Sequence, residues 1–422
     1  MKEHSVFVNG INIYSMTNPH LRSFCLSLYV RAGSIFETPD NNGISHLFEH
    51  VVFRNLKNRY ENFYEMLAFH GLELYAGTYK EFIRFYIEGP SGEFDLAAEI
   101  LCSLFSEIQL SRADFVNEKK RIKAEIREND ECSTLQFFFN RIVWKDTGAE
   151  KNIIGYCKTI DKISVKKINA FRKEVLSGGN CFVYVTGNVP QSGLETLRQR
   201  MGTLEILRSE ADFRNVITPN AEFFNRGGKV YVKDDYWHHI KIGFDVDCSK
   251  YPGGVYDLLY AVLFTGTKAV AHNYLSEDNP IVYSYDSAFE QYDNIGNLYF
   301  DFEVDKNKIE EAFAIVGEMF KAVKEGRFNF EATLRDELYN AQLCLDRPRN
   351  LNFNMAYYNH ILKTEPFDYS KPGFGRFDVT KKQLISAANE VFCARNMTVA
   401  IKGNKRKLKP EVIEEKIRGC RI

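Results

Sequence analysis

Two segments of this 422-residue chain repeat one pattern, and the repeat constrains the possible folds more than any other feature of the sequence. Residues 164–188 read SVKKINAFRKEVLSGGNCFVYVTGN, and residues 380–404 read TKKQLISAANEVFCARNMTVAIKGN, at an offset of 216 without a gap. In each copy a Ser or Thr suited to an N-cap precedes a helical pattern, and an apolar strand ending in Gly-Asn follows. Because the period is about half the chain, the repeat predicts two tandem domains of like topology and not a solenoid.

Strand-like and helical patterns mix in both halves without a strict βαβ alternation. The strand patterns SVFVNGINIYSMT and SFCLSLYVRAG open the first half, and GKVYVKD and HIKIGFDVD open the second. We therefore predict an α+β fold of two homologous domains, each a mainly antiparallel sheet with helices packed on it. Periodicity is lost between about 205 and 226, so we place the N-terminal domain at residues 1–210 and the C-terminal domain at 222–422.

Composition excludes several classes of protein. The net charge of −1 argues against a nucleic-acid binder or a polybasic membrane binder. The first residues lack a charged segment followed by an apolar run, and no stretch approaches 18 apolar residues, so we expect neither a signal peptide nor a membrane-spanning helix. The nine cysteines are scattered and form no C-x-x-C, which is typical of reduced thiols. We expect a cytoplasmic protein with no nucleic-acid partner and no membrane partner.

The run His-Leu-Phe-Glu-His at residues 46–50 predicts a metal site. On a helix, His46 and His50 lie on nearly one face, one turn apart, so both imidazoles can reach one ion. Glu49 lies beside His50, where its carboxylate can reach a water on that ion. This residue order is the reverse of His-Glu-x-x-His and is typical of inverted zincins.

A catalytic zinc site needs a third protein ligand and an open position for water. The segment NEKKRIKAEIREND at 117–130 is a charged amphipathic helix that offers carboxylates. Glu118 and Glu125 are seven residues apart and share one face of it, and Glu128 lies three residues further on roughly the same side. The spacing alone leaves these candidates open.

The run VRAGSIFETPDNNGISHLFEHVVFRN resembles the metal-binding signature of the pitrilysin/insulinase metallopeptidases, in particular the small bacterial processing-peptidase-like branch. The family's Gly-Ser-x-x-Glu-x-x-x-x-x-Gly approach to the motif is present, with Gly33, Ser34, Glu37 and Gly43. In that family the third ligand is a glutamate about 75 residues past the second histidine, with another glutamate seven residues before it.

The resemblance therefore implies a Zn2+ ion held by His46, His50 and Glu125 in a catalytic N-terminal domain. It implies that Glu49 is the general base for peptide hydrolysis. It also implies that Glu118 contacts and orients one of the metal ligands without binding the metal itself. The C-terminal domain would be homologous but not catalytic.

The resemblance also implies where a peptide substrate lies. The family presents an edge strand to an extended substrate, and the matching segment is LELYAGTYKEF at 72–82. Tyr75, Ala76 and Gly77 would contact the substrate, and Tyr75 stands where the family usually has Asn. Since strand addition uses the main chain, this change should alter side-chain preference more than binding itself.

One departure concerns the C-terminal half. The family carries an Arg and a Tyr seven residues apart that help fix the substrate; in the segment LSEDNPIVYSYDS at 275–287, Tyr283 keeps its place but Ser276 replaces the Arg and Pro280 replaces a Gly. Some small members of the family are heterodimers in which a partner supplies the Arg-Tyr pair.

We therefore expect a zinc-dependent endopeptidase that hydrolyses peptides or unstructured segments in an enclosed chamber. A related subunit that carries the Arg-Tyr pair would complete the substrate-binding site in a heterodimer, or a second copy of this chain would form a homodimer. The alternative is a metal-bound partner or assembly subunit of the same fold with little activity alone.

Overall fold

The computed structural model describes residues 2–128, 133–207, 216–282, 284–363, 371–406 and 408–419. The chain forms two compact units. The first contains Met1–Glu131, Lys151–Arg214 and Leu343–Ile361, and the second contains Cys132–Glu150, Asn215–Gln342 and Leu362–Ile422. Each unit thus takes most of its residues from one half of the chain and a short segment from the other half. The boundaries expected near residues 210 and 222 stay a prediction, because residues 208–215 lie outside the described ranges.

The first unit contains a six-stranded sheet, and its strands are β1 (His4–Val8), β2 (Ile11–Thr17), β3 (Ser23–Val30), β4 (Glu73–Thr78), β5 (Ile83–Pro90) and β6 (Cys181–Gly187). Its helices are α1 (Ile44–Arg59), α2 (Phe63–Phe69), α3 (Phe94–Ser103), α4 (Arg112–Glu128), α6 (Cys157–Lys162), α7 (Val165–Val175), α8 (Gln191–Gly202) and α13 (Pro348–Ala356).

The second unit contains a five-stranded sheet, and its strands are β7 (Lys229–Asp234), β8 (His239–Asp247), β9 (Tyr285–Gln291), β10 (Ile295–Glu303) and β11 (Met397–Gly403). Its helices are α5 (Leu135–Val143), α9 (Gly253–Phe264), α10 (Val270–His272), α11 (Ile309–Lys324), α14 (Lys381–Val391) and α15 (Pro410–Gly419), and α12 (Phe330–Cys344) begins in it.

The two sheets share one topology. Their strand orders are β1-β2-β6-β3-β5-β4 and β7-β11-β8-β10-β9, so the second sheet matches the first without β1. The pairs β2–β6 and β7–β11 are parallel, and the other pairs in the two sheets are antiparallel. The prediction of an α+β fold with two like domains and mainly antiparallel sheets is confirmed.

The sequence repeat corresponds to α7–β6 in the first unit and α14–β11 in the second. Ser164 and Thr380 cap these helices, each accepting a hydrogen bond at 3.3 Å from the backbone three residues later. Asn180 and Asn396 occupy the turns, and each Nδ2 donates to the carbonyl oxygen of the last helical residue, at 2.8 Å and 3.0 Å. Each Asn also donates to a backbone carbonyl near the end of the neighbouring central strand, that of Arg31 at 2.9 Å and that of Asp245 at 2.7 Å. The shared Asn therefore ties helix, turn and sheet together in both copies.

A helix from the other half of the sequence covers the second face of each sheet. In the first unit α13 packs on β3 and β6, and in the second unit α5 packs on β8 and β11. Asn352 of α13 is fully buried and donates to backbone oxygens of Cys25 and Tyr184, at 3.2 Å and 2.8 Å. These specific bonds fix α13 on the sheet, because a buried amide left unpaired would cost free energy.

Across the described residues, no helix combines the length and the apolar composition that crossing a bilayer requires.

Candidate metal centre

The approach to α1 holds the start of this helix in place. The buried Glu37 carboxylate accepts hydrogen bonds from the backbone N–H groups of Gly43 and Ser45, at 2.7 Å and 2.9 Å. A carboxylate at a helix N-terminus satisfies free N–H groups and interacts favourably with the helix dipole. Ser45 Oγ in turn accepts from the Gly33 N–H at 2.9 Å. The charged group of the approach motif therefore positions α1.

The two glycines of this approach are required by the backbone. Gly43 precedes α1 with φ 94°, and a Cβ there would lie 2.8 Å from the carbonyl oxygen of Ile154. Gly33 has φ 124°, and a Cβ there would lie 2.4 Å from the carbonyl oxygen of Tyr79. Other residues would be strained at both positions and would push the approach away from its neighbours.

Three predicted ligands come together between α1 and α4. His46 Nε2 lies 3.8 Å from Glu125 Oε1, and His50 Nε2 lies 3.7 Å from Glu125 Oε2. One ligand atom from each residue can be chosen so that all three lie within 4.8 Å of one another. Two ligands of a tetrahedral zinc ion, at bond lengths of 2.0–2.1 Å, stand about 3.4 Å apart. The two distances between a histidine nitrogen and a Glu125 oxygen, 3.8 Å and 3.7 Å, are close to that separation.

Burial keeps both imidazoles neutral. It lowers the pKa of His46 to about 3, with the nearby His50 contributing, and it also lowers the pKa of His50. A histidine ligand must be neutral to donate a nitrogen lone pair to a cation. Two neutral nitrogens and the Glu125 carboxylate form a donor set that suits zinc, so the residues present fit this metal.

Glu118 lies behind His50. Its side chain is 2% exposed, and its Oε2 is 3.8 Å from His50 Nδ1. The Arg54 Nε donates to Glu118 Oε1 at 2.9 Å, and Arg121 of α4 is 3.4 Å from Oε2. Glu118 is thus a buried, paired carboxylate and not part of a solvated helix face. The position agrees with the orienting role that the resemblance implies, and that role stays a prediction.

Glu49 lies on α1, next to His50, and its carboxylate is directed to the end of β4. Thr78 Oγ1 donates to Glu49 Oε2 at 2.6 Å. Burial raises the pKa of Glu49, and the hydrogen bond from Thr78 opposes that rise. The sequence reasoning missed Thr78. Alternate residues of a strand lie on one face, so the expected strand places Thr78 on the same face as Ala76, and this alternation could have identified it.

The strand β4 lies at the end of its sheet and pairs only with β5 within the described residues. Tyr75, Ala76 and Gly77 therefore lie on an edge strand, as the resemblance implies. Ala76 packs against the core, whereas the ring of Tyr75 is 40% exposed and stacks on Tyr86 at 5.2 Å between centroids. Their contact with a substrate stays a prediction.

Three further candidates are Glu128, Ser276 and Tyr283. The grouping at the metal centre contains Glu125 and not Glu128, the exposed last residue of α4. Ser276 lies in a short helical segment, Asn273–Glu277, where its hydroxyl donates to the carbonyl oxygen of Val282 at 3.5 Å. Tyr283 lies outside the described residues.

A duplicated α+β fold with a His-x-x-Glu-His helix and a glutamate from a second helix is typical of an inverted-zincin peptidase. Family models agree. Residues 13–156 match the insulinase model (peptidase family M16), and residues 162–333 match the model of the peptidase M16 inactive domain. The chain belongs to peptidase family M16, as the resemblance to pitrilysin and insulinase predicted.

Named relatives and solved structures are consistent with this membership. An uncharacterized zinc protease of Rickettsia felis is 26% identical over 48% of this chain and 50% of its own length. The mitochondrial-processing peptidase subunit beta of Saccharomyces cerevisiae is 25% identical over 46% of this chain and 42% of its own length. The chain spans about half the length of the curated relatives it matches. A crystal structure of a protease from Helicobacter pylori has the same fold, with a TM-score of 0.82, 19% identity and coverage of 95% of this chain and 99% of that one.

Proposed function

We propose that this protein is a zinc-dependent endopeptidase that hydrolyses peptides or unstructured segments. The observation that carries the proposal is the grouping of His46, His50 and Glu125, with Glu49 one helical position from a ligand. Neutral histidines, a carboxylate ligand and a nearby carboxylate that can take a proton are the groups that metal-assisted hydrolysis requires.

In the proposed mechanism His46, His50 and Glu125 would hold the metal. Bound zinc would supply Lewis-acid chemistry, polarising the scissile carbonyl and acidifying water. Glu49 would take a proton from the attacking water as the C–O bond forms and give it to the leaving amine as the C–N bond breaks. Thr78 holds the Glu49 carboxylate in one orientation, and Glu118, held by Arg54, fixes the ring of His50.

The substrate is proposed to pair with the free edge of β4. An extended segment can form main-chain hydrogen bonds there, so a peptide or an unfolded stretch can bind where a folded domain cannot. Thr78 ends this strand and contacts Glu49. The bound main chain would therefore lie next to the residue that acts as base.

We further propose that cleavage takes place in an enclosed chamber that a partner subunit completes. Ser276 stands where the family has an Arg, and one relative is named as the beta subunit of a processing peptidase. The partner would be a related chain with the Arg-Tyr pair, or a second copy of this chain. The absence of this cation from position 276 also favours the second candidate function, a metal-bound assembly subunit with little activity of its own.

A cytoplasmic location is part of the proposal. The cysteines at seven described positions are free, namely Cys25, Cys102, Cys157, Cys181, Cys248, Cys344 and Cys393. Free thiols of this kind are typical of a reducing compartment.

The test combines metal analysis with peptide hydrolysis. The purified chain should contain about one zinc per molecule by mass spectrometry. It should cleave a fluorogenic peptide library alone or after addition of a related subunit, and a chelator should stop cleavage until zinc is returned. The Glu49→Gln variant serves as the matched inactive control.

Two results would contradict the proposal. Hydrolysis that persists after the chelator has removed all metal would exclude a zinc peptidase. A zinc-loaded chain that stays inactive with every related subunit would instead favour the assembly role.

A further inference from the structure

One end of the second unit carries two exposed aromatic side chains. Residues 235–238 join β7 to β8, and in this connection Tyr236 is 81% exposed and Trp237 is 70% exposed. Their ring centroids are 5.3 Å apart. Large aromatic side chains of soluble proteins are usually at least half covered, and an adjacent exposed pair marks an interaction surface more often than a random position.

A basic segment lies against this connection. Residues 402–409 read KGNKRKLK, with five basic residues and no acidic residue among eight. The side chains of Lys405, Arg406 and Lys409 are exposed, and none of them forms an ion pair with another described residue. We call residues 235–238, 404–406 and 408–409 together the aromatic-basic tip.

Specific contacts hold the two parts of the tip together. The Asp235 N–H donates to the carbonyl oxygen of Gly403 at 3.0 Å, and the Lys405 N–H donates to Asp234 Oδ1 at 3.0 Å. Lys402 forms an ion pair with Asp235 at 2.7 Å. The two aspartates are thus occupied by the neighbouring loop, and the positive charges of Lys405, Arg406 and Lys409 face solvent beside the two rings.

We propose that the aromatic-basic tip binds peripherally to an anionic lipid bilayer. Trp and Tyr prefer the interface between headgroups and acyl chains, because their rings are apolar at one end and polar at the other. Lys and Arg next to them are attracted to anionic headgroups. Stable attachment to a bilayer requires two such signals, and the tip provides both.

The tip fits a bilayer better than an acidic protein. The two rings are exposed side by side on a connection between strands, where a flat, deformable interface can receive them together. The positive charge is complementary to an anionic surface. The net charge of the whole chain, −1, led to the expectation of no membrane partner. A net charge does not show that positive charges are concentrated in one segment, as they are at the tip.

Intrinsic fluorescence provides a direct test, because the chain has only two tryptophans. Trp144 is fully buried, so the signal that changes on binding belongs to Trp237. The full-length protein is titrated with vesicles of phosphatidylcholine alone, and with vesicles that contain equal parts of phosphatidylcholine and phosphatidylglycerol. We expect a blue shift and quenching by brominated acyl chains with the anionic vesicles only, and loss of both at 0.5 M salt.

Variants assign the interaction to the tip. The double charge reversal Lys405→Glu with Arg406→Glu should weaken co-sedimentation with anionic vesicles by roughly 10²-fold or more, since each cation contributes about fivefold. Tyr236→Ser with Trp237→Ser should also release the protein. Matched controls are the double reversal Lys166→Glu with Lys167→Glu on α7, where both side chains are exposed, and Phe69→Ser, where the ring is 86% exposed.

Three results would overturn the proposal. One is the absence of any shift with anionic vesicles, and another is equal loss of binding in the tip variants and the controls. The third is binding to soluble polyglutamate as tight as to vesicles without a blue shift of Trp237, which would indicate an acidic protein partner. Peptidase activity enters none of these readouts, so the result is independent of the proposed function.

Discussion

The helices α1 and α9 follow the corresponding central strands of the two units, but they differ at the positions that carry the metal-centre residues in α1. His46, Glu49 and His50 are the third, sixth and seventh residues of α1. In α9 the third, sixth and seventh residues are Val255, Leu258 and Leu259. All three α9 side chains are fully buried. The second unit shows that the shared fold is satisfied by apolar residues at these positions.

This difference separates what the fold needs from what the site needs. Burying imidazoles and a carboxylate costs desolvation free energy, and the shifted pKa values of His46, His50 and Glu49 reflect this cost. A protein retains such groups where they serve a function. The comparison therefore predicts opposite responses of the two helices to similar substitutions.

The largest expected effect comes from truncating the same position in both helices. His50→Ala removes a ligand, so zinc content should fall close to zero and zinc-dependent hydrolysis should cease, while the metal-free protein keeps its stability within about 1 kcal/mol. Leu259→Ala leaves a core cavity and should lower the free energy of unfolding by about 2–5 kcal/mol with zinc content unchanged. Mass spectrometry of the metal and denaturant titration of the metal-free proteins measure the two effects.

Ile44→Val in α1 is the control for a small core change, since Ile44 is buried on the helix that carries the ligands. It should keep its zinc and lose only about 1 kcal/mol of stability. If His50→Ala unfolded the metal-free protein as strongly as Leu259→Ala, the imidazole would be part of the core and the comparison would fail.

The second effect concerns chemistry at an intact site. Glu49→Gln keeps the size of the side chain and the ability to accept a hydrogen bond from Thr78, but it removes the basic oxygen. Hydrolysis should fall by about 10²–10⁴-fold with zinc content unchanged, because proton transfer loses its acceptor. Initial rates on a fluorogenic peptide, in the assembly that supports cleavage, give this factor. Normal rates in the variant would exclude Glu49 as the base.

The comparison of α1 with α9 also shows what the sequence could predict. The paired histidines and Glu125 were recognisable because helical spacing and a family motif fix them along the chain. The 216-residue repeat predicted the shared topology, and Asn180 with Asn396 explains why those positions match. These features depend on local spacing, which a sequence displays directly.

Features that depend on distant packing were not predictable in the same way. The sequence gives no sign that Asn352 of α13 forms hydrogen bonds with the sheet of the first unit, because its partners lie more than 160 positions away. The sequence likewise gives no sign that Arg54 pairs with Glu118, which lies 64 positions further along the chain. Pairing of this kind requires knowledge of which helices lie side by side.

A third, smaller effect tests Glu118, which has no local signature beyond its spacing. Glu118→Gln removes the charge that faces His50 and Arg54, so zinc affinity should fall by about 10–100-fold with the three ligands intact. Competition with a chromophoric chelator measures the affinity. Glu128→Gln, on the same helix and exposed, should leave it unchanged. Equal losses in the two variants would indicate a general effect of charge on α4.

The smallest expected effect concerns Thr78, whose hydroxyl joins the edge strand to Glu49. Thr78→Val keeps the shape of the side chain but removes the hydrogen bond to Glu49. A hydrogen bond from a neutral donor to a charged acceptor contributes about 1.5 kcal/mol. We therefore expect kcat to fall by about tenfold while KM changes little. The bond stabilises the ionised carboxylate, and its loss should raise the pKa of Glu49. The acidic limb of the kcat profile should therefore move to higher pH, since the base must be ionised to act.

Thr78→Ser restores the hydroxyl and should restore both kcat and the position of the acidic limb. A purely structural role for Thr78 predicts a different pattern, with equal losses in the Val and Ser variants and no movement of the limb. The corresponding strand of the second unit, β9, provides the control. Ser287→Val on β9 removes a hydroxyl that contacts Tyr260 on α9, at 3.0 Å, and should leave the profile unchanged because it does not touch Glu49, the proposed base.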